Sequence, residues 1–353
     1  VGIAAVSPEG KILPIKVFTD GGQGYLNDLI DGISYAVSQG AHAINLSLGS
    51  NSAMPSVNTA LQNAWNAGVV VVAAAGNNNN TSPFYPAYYP VCIAVAASNL
   101  DDTKSAQSSY GAWVEVAAPS GDAWSTTSSG GYARHTAGAT SCAAPFVTAQ
   151  ALLLYPLVAD SPTDRSVARA QVVRELIEST AMPVPGNYVA YGRIDVGASV
   201  LKALTVPVRG RITIAGYVGS YTSKEVEILV RPLNGSTTLA SATGNADSTG
   251  NFDIGVFLEP NQLGYRDLAI RAQGTLTKRV PNVRMRYPGV SNLNLTLIPG
   301  DINGDNAIDD ADLLAVLFAF GQTGARPEDI NGDGAVDDAD LLTVLFNFGQ
   351  TGE

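Results

Sequence analysis

The sequence of 353 residues is longer than one ordinary domain, so two or three domains are expected. Hydrophobic residues make up 46% of the chain and charged residues 14%, a composition that supplies a large core and excludes an intrinsically disordered protein. The net charge of −11 is concentrated in residues 299–353, which hold twelve acidic side chains and one arginine. The remainder is neutral and has no basic patch, so nucleic-acid binding is not favoured.

The cysteines and the longest apolar segment limit the class further. Cys92 and Cys142 both lie in apolar runs, which predicts buried free thiols, although a disulfide between them stays open at this point. Residues 143–159 contain two prolines and polar side chains, so a buried helix is expected and a membrane span is not. Residues 1–6 show no signal-peptide pattern and read like the interior of a domain, so the sequence is expected to begin inside a domain.

Strand and helix patterns alternate along residues 1–204. Helical spacing predicts helices at Tyr25–Ser38 and Ser56–Asn66. Short apolar runs predict strands at Lys11–Phe18, Ala43–Gly49, Val69–Gly76 and Cys92–Ala97. This alternation predicts an α/β domain with a mostly parallel sheet and flanking helices, in which function collects at the carboxyl ends of the strands.

The pattern changes to period two in residues 205–298. Strands are predicted at Arg209–Tyr217, Glu225–Arg231, Phe252–Leu258, Arg266–Ala272 and Asn282–Arg286. The segment reads as an antiparallel β-sandwich and resembles the carboxypeptidase-regulatory-like sandwiches of secreted bacterial proteins, for which a spacer is the simplest role. A stalk that adheres to polysaccharide is an alternative, but no tryptophan follows Trp124 to line such a surface.

An internal repeat fills residues 299–353. The segment 301–314 recurs as 329–342, and each copy leads into a short apolar helix. Oxygen-bearing side chains fall at loop positions 1, 3, 5, 9 and 12, and position 7 offers a backbone carbonyl, which is the spacing that wraps a loop around one calcium ion. Two calcium ions are therefore predicted, held by Asp301, Asn303, Asp305, Ala307, Asp309 and Asp312 and by Asp329, Asn331, Asp333, Ala335, Asp337 and Asp340.

Aspartate at position 12 and one helix per loop resemble the type I dockerins, a family of small α-helical tandem calcium-loop domains. The resemblance implies calcium-dependent folding and docking onto a cohesin-type protein. The positions of the family's recognition pair hold Asp310-Ala311 and Asp338-Ala339 instead of the frequent Ser-Thr, so the partner stays open. Near-identical copies suggest the hypothesis that the module binds in two orientations.

A serine precedes a buried helix of small residues in Gly138–Val147. A helix N-terminus stabilises nearby negative charge, and small neighbours let a substrate backbone approach Ser141. The segment resembles the serine-nucleophile motif of subtilisin-like (S8) proteases, with departures at Ala139, Cys142 and Phe146. The resemblance implies that Ser141 is the nucleophile of acyl-enzyme peptide hydrolysis.

Further segments carry the same resemblance in order over residues 1–204, including Pro86–Pro90 and Tyr191–Asp195. Asn77 matches the side-chain donor of the family's oxyanion hole. Substrate-binding positions are matched by Ser47, Leu48, Gly49, Ala75, Gly76 and Phe84. Phe84 lies where the family lines its P1 pocket, and a ring there is expected to favour a small P1 residue.

The family's mechanism needs a histidine and an aspartate ahead of the serine. His42 and His135 match neither motif and are expected to be surface or capping residues, and Asp20 and Asp28 match no triad motif. The simplest account is a chain truncated within its protease domain. The leading interpretation is a secreted or cell-surface serine endopeptidase anchored through its tail and inactive as given; the alternative is a non-catalytic calcium-dependent docking protein.

Overall fold

The computed structural model describes residues 5–121, 123–127, 129–135 and 138–353. They divide between two units, Val1–Ala203 and Leu204–Glu353. The predicted boundary at residues 298 and 299 therefore lies inside the second unit.

The first unit alternates helices and strands. In chain order these are α1 (Leu26–Ser38), β1 (Ala43–Leu46), α2 (Pro55–Asn66), β2 (Val70–Ala74), β3 (Cys92–Ser98), β4 (Val116–Pro119), β5 (Ala123–Thr126), β6 (Tyr132–His135), α3 (Thr140–Val158), α4 (Val167–Ser179), β7 (Gly192–Arg193) and α5 (Val196–Leu204). Both predicted helices are confirmed to within one residue of their starts.

Five of these strands form one parallel sheet in the order β1-β2-β3-β4-β7. Every residue of β2 and β3 is buried, as expected for apolar strands covered on both faces. Helix α3 packs on the sheet, and the hydroxyl of Tyr155 donates to the carbonyl of Gly68 just before β2. The α/β prediction is confirmed for this unit.

The strand predicted at Lys11–Phe18 does not form. This segment is irregular, Ile12 is 91% exposed, and Phe18 pairs with Gly24 through one isolated bridge. Apolar alternation stabilises a strand only when a neighbouring strand accepts its backbone hydrogen bonds, and no such neighbour lies beside these described residues.

Helix α3 is also the one helix in the described ranges that is long and apolar enough to cross a membrane by length and composition alone. Its most apolar stretch is 44% buried inside the protein, and the central helix of a globular domain passes the same test. Residues such as Ala143, Val147, Ala151 and Leu154 are fully buried against the rest of the unit. The packing accounts for the apolar sequence of this helix.

The second unit contains seven strands and two helices. They are β8 (Thr205–Ile214), β9 (Glu225–Arg231), β10 (Ala240–Asn245), β11 (Asn251–Phe257), β12 (Gly264–Ala272), β13 (Lys278–Met285), β14 (Val290–Leu297), α6 (Asp310–Ala319) and α7 (Asp338–Asn347). One sheet has the order β10-β9-β12-β13 and the other β11-β8-β14. All five predicted strands are present, although their ends differ by up to four residues from the prediction, while β10 and β14 were not predicted.

The expectation of purely antiparallel strands is wrong for one pair. The larger sheet is antiparallel throughout, but β14 runs parallel to β8, with Asn294 opposite Arg211. Parallel neighbours require a long crossover, and here the chain between β8 and β14 passes through the other strands of the unit. Buried and exposed residues alternate along β9 and β11, so these strands have one apolar face.

The tandem repeat forms two similar halves, and the segment after each helix pairs with the loop of the other half through an isolated β-bridge. Ala307, in the first loop, pairs with Thr351 beyond α7, and Ala335, in the second loop, pairs with Thr323 beyond α6. A shared apolar core lies between the halves. Its buried members are Leu276, Ile308, Val316, Ala319, Ile330, Val336 and Val344.

Candidate active site and calcium loops

The predicted nucleophile sits at the start of α3, beside the carboxyl ends of two strands. Ala139 is the extended N-cap residue, and Ser141 is the second residue of the helix and half-buried. Ser47 follows β1 directly and its hydroxyl donates to the carbonyl of Ser141 at 2.9 Å. In return, Ser141 Oγ donates to the carbonyl of Ser47 at 3.4 Å. The parallel sheet thus brings the predicted substrate-binding segment and the predicted nucleophile together.

Asn77, which follows β2, is held in one orientation by Thr140. Its side-chain carbonyl Oδ1 accepts the backbone N–H of Thr140 at 2.9 Å and the Thr140 hydroxyl at 3.0 Å. A backbone N–H can only donate, so the acceptor end of the amide must face Thr140. The Nδ2 donor has no acceptor within the described ranges and remains available to a ligand at the exposed side of Asn77.

Three hydroxyls that the sequence motifs did not single out hold this arrangement. Thr140 Oγ1 also accepts the N–H of Gly76 at 3.1 Å. The hydroxyl of Ser105 donates to the carbonyl of Gly138, and that of Ser120 to the carbonyl of Ala139, both at 2.7 Å. All three side chains are buried, so their hydrogen bonds fix the segment before Ser141 from the interior of the unit. No local sequence signal marks these hydroxyls, because their partners are distant in sequence.

Phe84 lies between the two glycines of the predicted substrate-binding segments. A Cβ built on Gly49 would meet the ring at 2.4 Å, and one built on Gly76, whose φ is +94°, would meet it at 2.8 Å. Ser50 and Tyr85 exchange two backbone hydrogen bonds of 2.7 and 2.8 Å, which hold the Phe84 segment alongside the Ser47 segment. Leu48 is half-buried and Ala75 fully buried. The structure therefore brings all predicted substrate-binding residues to one edge of the sheet.

The structure places His42 away from the serine. His42 Nε2 lies 2.9 Å from the carbonyl of Pro162, and its ring packs edge-on against Tyr155. His135 ends β6, and its side chain lies outside the described residues. Across the described ranges, the hydroxyl of Ser141 has no imidazole partner. Asp20 pairs with Lys16, and Asp28 lies in the first turn of α1.

Both cysteines are free thiols. Cys92 is buried in β3, and burial raises the pKa of its thiol far above the ordinary value. Cys142, next to Ser141, is half-buried. The prediction of two free thiols is confirmed, and Cys92 is too deeply buried to serve as a nucleophile.

The two repeat loops have the same internal geometry. Asp301 accepts the N–H groups of Gly304 and Asn306 at 2.8 and 3.1 Å, and Asp329 accepts those of Gly332 and Gly334 at 2.8 and 2.9 Å. At position 6, Asn306 and Gly334 have φ of +71° and +96°, which are the left-handed conformations expected there.

Aspartate at position 12 closes each loop and begins its helix. Asp312 accepts backbone N–H groups from Ile302, Asn303 and Asp309, and Asp340 does the same in the second copy. Both carboxylates are fully buried, so each loop is wrapped around an acidic side chain. The conserved geometry of the copies shows that each repeat forms one loop of the predicted shape.

A calcium ion fits the donor chemistry of these loops. No cluster of three or more His, Cys, Asp and Glu side chains among the described residues forms a metal centre by itself. The loops instead add Asn303 and a backbone carbonyl to their carboxylates, the mixed oxygen set that calcium takes. Asp301 is 1% exposed, and burial together with the charges of Asp312 and Asp305 raises its pKa. A divalent cation would neutralise this buried charge.

The fold, the serine at the start of α3 and the oriented asparagine are those of a subtilisin-like peptidase. The sequence profile of the Subtilase family (Peptidase_S8) matches residues 1–216, more than half of the chain. This protein therefore belongs to the subtilase family of serine peptidases. The catalytic class of the family is thus shown, whereas residues 217–353 lie outside the match.

Several proteases are similar to part of this chain. Thermitase of Thermoactinomyces vulgaris is 41% identical over 196 residues, which is 55% of this chain and 66% of thermitase. The thermophilic serine proteinase of Bacillus sp. (strain AK1) is 41% identical over 197 residues, 55% of this chain and 46% of that protein. A protease structure from Pseudoalteromonas arctica PAMC 21717 matches with a TM-score of 0.50 and 28% identity, covering 56% of this chain and 65% of that one.

The chain thus spans between about half and two thirds of the relatives it matches. Subtilisins such as subtilisin J of Geobacillus stearothermophilus, 36% identical over 197 residues (55% of this chain and 49% of that protein), are extracellular like thermitase, which supports a coarse extracellular location.

Proposed function

We propose that this protein is a secreted serine endopeptidase of the subtilisin type that is anchored through a calcium-binding docking module. Ser141 attacks the scissile carbonyl, and Asn77 donates a hydrogen bond to the oxyanion that forms. The sheet edge formed by Ser47, Leu48 and Gly49 pairs with the substrate backbone. Peptide and protein chains are the substrate class.

The orientation of Asn77 is the observation that supports this proposal most strongly. Thr140 takes the acceptor end of the amide with two hydrogen bonds, so the donor end cannot turn inward without losing both. An asparagine with only a packing role would not need one fixed end. A preorganised donor stabilises the transition state because it requires no reorganisation when charge develops.

Phe84 supports a preference for a small P1 side chain. Its ring occupies the space beside Gly49 and Gly76, where a larger P1 residue would have to enter. Alanine or glycine at P1 leaves the ring in place. This specificity follows from shape alone, and its test is a change of P1 preference when the ring is removed.

The second unit is proposed to carry the peptidase to its site of action. The two sheets of residues 205–298 form a sandwich-like spacer, and residues 299–353 form a dockerin-like module with two calcium ions. Exposed aromatic rings occur at equivalent positions of the two helices, with Phe318 82% and Phe346 81% exposed. Such a duplicated apolar surface fits a cohesin-type protein partner.

The printed chain is proposed to be inactive alone because it contains no histidine and aspartate in the family's triad positions. A fluorophosphonate label tests this directly. We expect no label on Ser141 in this chain alone. We expect labelling in a chimera in which the thermitase residues upstream of the aligned region are fused before Val1. Labelling of this chain alone would refute its inactivity. Absence of labelling in a folded chimera would refute the assignment of Ser141 as the nucleophile.

The second candidate function is a non-catalytic protein that docks in a calcium-dependent manner. The paired exposure of Phe318 and Phe346 favours it, since this surface needs no catalytic residue. The gene sequence upstream of Val1 separates the two candidates. A histidine-bearing triad segment there supports the peptidase, and its absence supports the docking protein.

A further inference from the structure

The turn between β12 and β13 enters the core of the calcium-loop module. This turn, Gly274–Thr277, is called the junction turn below. Leu276 is 3% exposed and belongs to the same buried cluster as Ile308, Val316 and Val344 from the two repeats. The sheet therefore supplies one of the apolar residues around which the two calcium loops fold.

Hydrogen bonds fix the junction turn to the first loop and to the C-terminal residue Glu353. Thr277 N–H donates to the side-chain carbonyl of Asn306, at loop position 6, at 2.8 Å, and the carbonyl of Thr277 accepts the N–H of Glu353 at 3.0 Å. Arg271 of β12 pairs with Glu227 of β9 and donates to the carbonyl of Gly304 at 3.0 Å. Arg271 of β12 and Thr277 of the junction turn thus contact the first loop directly.

The second loop is attached to the segment that follows β8, at the same end of the β region as the junction turn, because β8 ends beside β14 and Leu276 bonds to Ile298 just after β14. The N–H of Val218 donates to the carbonyl of Asn331, at loop position 3, at 2.8 Å. Gly219 and Gly332 approach so closely that a Cβ on Gly332 would lie 3.1 Å from the Cα of Gly219 and 2.4 Å from the Tyr217 ring. A side chain at either glycine would separate the loop from the segment that follows β8.

The net charges of the β region (residues 205–298) and of the module (residues 299–353) have opposite signs. Residues 205–298 contain ten basic and six acidic side chains, whereas residues 299–353 contain one basic and twelve acidic side chains. Lys278 pairs with the side chain of Glu353, and Arg231 donates to its carbonyl, both at 3.4 Å. Attraction between the parts adds to the apolar and backbone contacts of the junction turn.

We propose that calcium binding at residues 301–312 and 329–340 controls the stability of the whole unit from Leu204 to Glu353, through the junction turn. This inference rests on the proposed calcium binding. A loop that is ordered by its ion keeps Asn306 and Gly304 in place for Thr277 and Arg271. By thermodynamic linkage, the free energy that calcium binding adds to the folded loops also stabilises the strands that unfold together with them.

Calcium thus acts beyond the docking surface. With calcium bound, the strands of residues 205–298 and the module of residues 299–353 form one rigid unit. Without calcium, β12 and β13 lose their contacts with the module at one end. The module cannot change its state without changing the strands beside it. A dockerin joined by a flexible linker would lack this coupling.

Amide hydrogen exchange of the whole chain, with calcium and with a chelator, tests the proposal. We expect calcium to slow exchange at least tenfold in α6, α7, β12 and β13, and to leave β2 and β3 of the first unit unchanged. Saturation at a hundred times the Kd limits the effect to about a hundredfold per site. Slowing confined to residues 299–353 would overturn the coupling while leaving calcium binding intact, and no slowing anywhere would overturn both.

Matched leucine variants separate the junction turn from general loss of core packing. In Leu276→Ala, calcium is expected to protect α6 and α7 but no longer β12 and β13. Leu258→Ala removes an equally buried leucine outside the shared cluster and should keep the coupling, and Leu276→Met should restore it. Calcium-dependent protection of β12 that persists in Leu276→Ala would overturn the role of the turn.

Discussion

The side-chain carbonyl of Asn77 receives both hydrogen bonds that Thr140 offers, from its backbone N–H at 2.9 Å and from its hydroxyl at 3.0 Å. Thr140 directly precedes Ser141, so one residue links the predicted oxyanion donor with the predicted nucleophile. The donor and the nucleophile therefore cannot move independently. Several consequences of this geometry are measurable in the thermitase chimera described above.

Replacing Asn77 by alanine removes the side-chain donor to the oxyanion. We expect kcat of the chimera to fall about 10²- to 10³-fold with little change in KM, a magnitude taken from the same donor in a subtilisin. Steady-state hydrolysis of a peptide anilide measures both constants. Asn78→Ala is the control because Asn78 bonds to Asn51 and should leave kcat within about twofold. Equal losses in the two variants would contradict the assignment.

Replacing Thr140 by valine tests whether the orientation of Asn77 matters apart from its presence. The backbone N–H still holds Asn77, but the hydrogen bonds of the hydroxyl with Asn77 and Gly76 are lost, so kcat is expected to fall about fivefold to tenfold. Thr148→Val changes a hydroxyl further along the same helix, which bonds to Asn45, and serves as the control. An unchanged kcat in Thr140→Val would show that the hydroxyl does not position Asn77.

Replacing Phe84 by glycine should open the P1 pocket. The ratio of kcat/KM for phenylalanine over alanine at P1 is expected to rise roughly 10- to 200-fold, the range for a change of pocket size. Paired peptide anilides that differ only at P1 measure it. Tyr88→Ala removes a neighbouring ring that packs on Trp113 and should leave the ratio unchanged. Efficient cleavage after phenylalanine by the unmodified chimera would contradict the prediction.

Glu115 gives the first unit a pH-dependent stability. Burial raises the pKa of this carboxyl to about 7 even though Arg174 lies beside it at 3.0 Å. The folded state then holds a proton that the unfolded state releases near its ordinary pKa of 4.5. Protonation of Glu115 therefore adds on the order of 3 kcal/mol to the free energy of unfolding below about pH 4.5, and this contribution is lost as the pH rises to about 7.

Chemical denaturation of Glu115→Gln at pH 5 and pH 8 measures this contribution. The variant should match the unmodified chain at pH 5 and exceed its stability at pH 8. Glu175→Gln alters an exposed carboxyl of the same helix as Arg174 and should follow the unmodified chain at both values. A variant less stable than the unmodified chain at pH 8 would show that the ion pair with Arg174 outweighs burial.

Asp340 and Asp338 have different environments in the second repeat loop although they are two residues apart. Asp340 is fully buried and accepts three backbone N–H groups, whereas Asp338 is exposed at position 10. Calorimetric titration should give two calcium ions per chain for Asp338→Ala and one for Asp340→Ala. Two ions bound by Asp340→Ala would contradict the predicted ligand set.

The sequence motifs predicted the candidate site residues but not the buried hydroxyl groups that hold them in place. Ser141, Asn77 and Ser47 are recognisable because local motifs specify them, and the parallel strands bring them together as expected. Thr140, Ser105 and Ser120 were missed because a buried hydroxyl is defined by a partner distant in sequence. Local patterns cannot specify such partners.

The same limit explains the errors in the strands. Residues 240–245 are rich in small and polar side chains, so no apolar alternation marked β10. The parallel pairing of β14 with β8 depends on the path of the intervening chain, which no local pattern contains. Lys11–Phe18 shows the reverse case, since a strand-like pattern without a neighbouring strand stays irregular.

The reciprocal β-bridges between the repeats affect how this module can be divided or duplicated. Each loop is completed by the segment that follows the other copy's helix, at Thr351 and at Thr323. A gene fragment with a single copy would encode a loop and its helix but no partner for the loop backbone. Loss of either copy during recombination would therefore remove both folded halves, and the two copies must be inherited together.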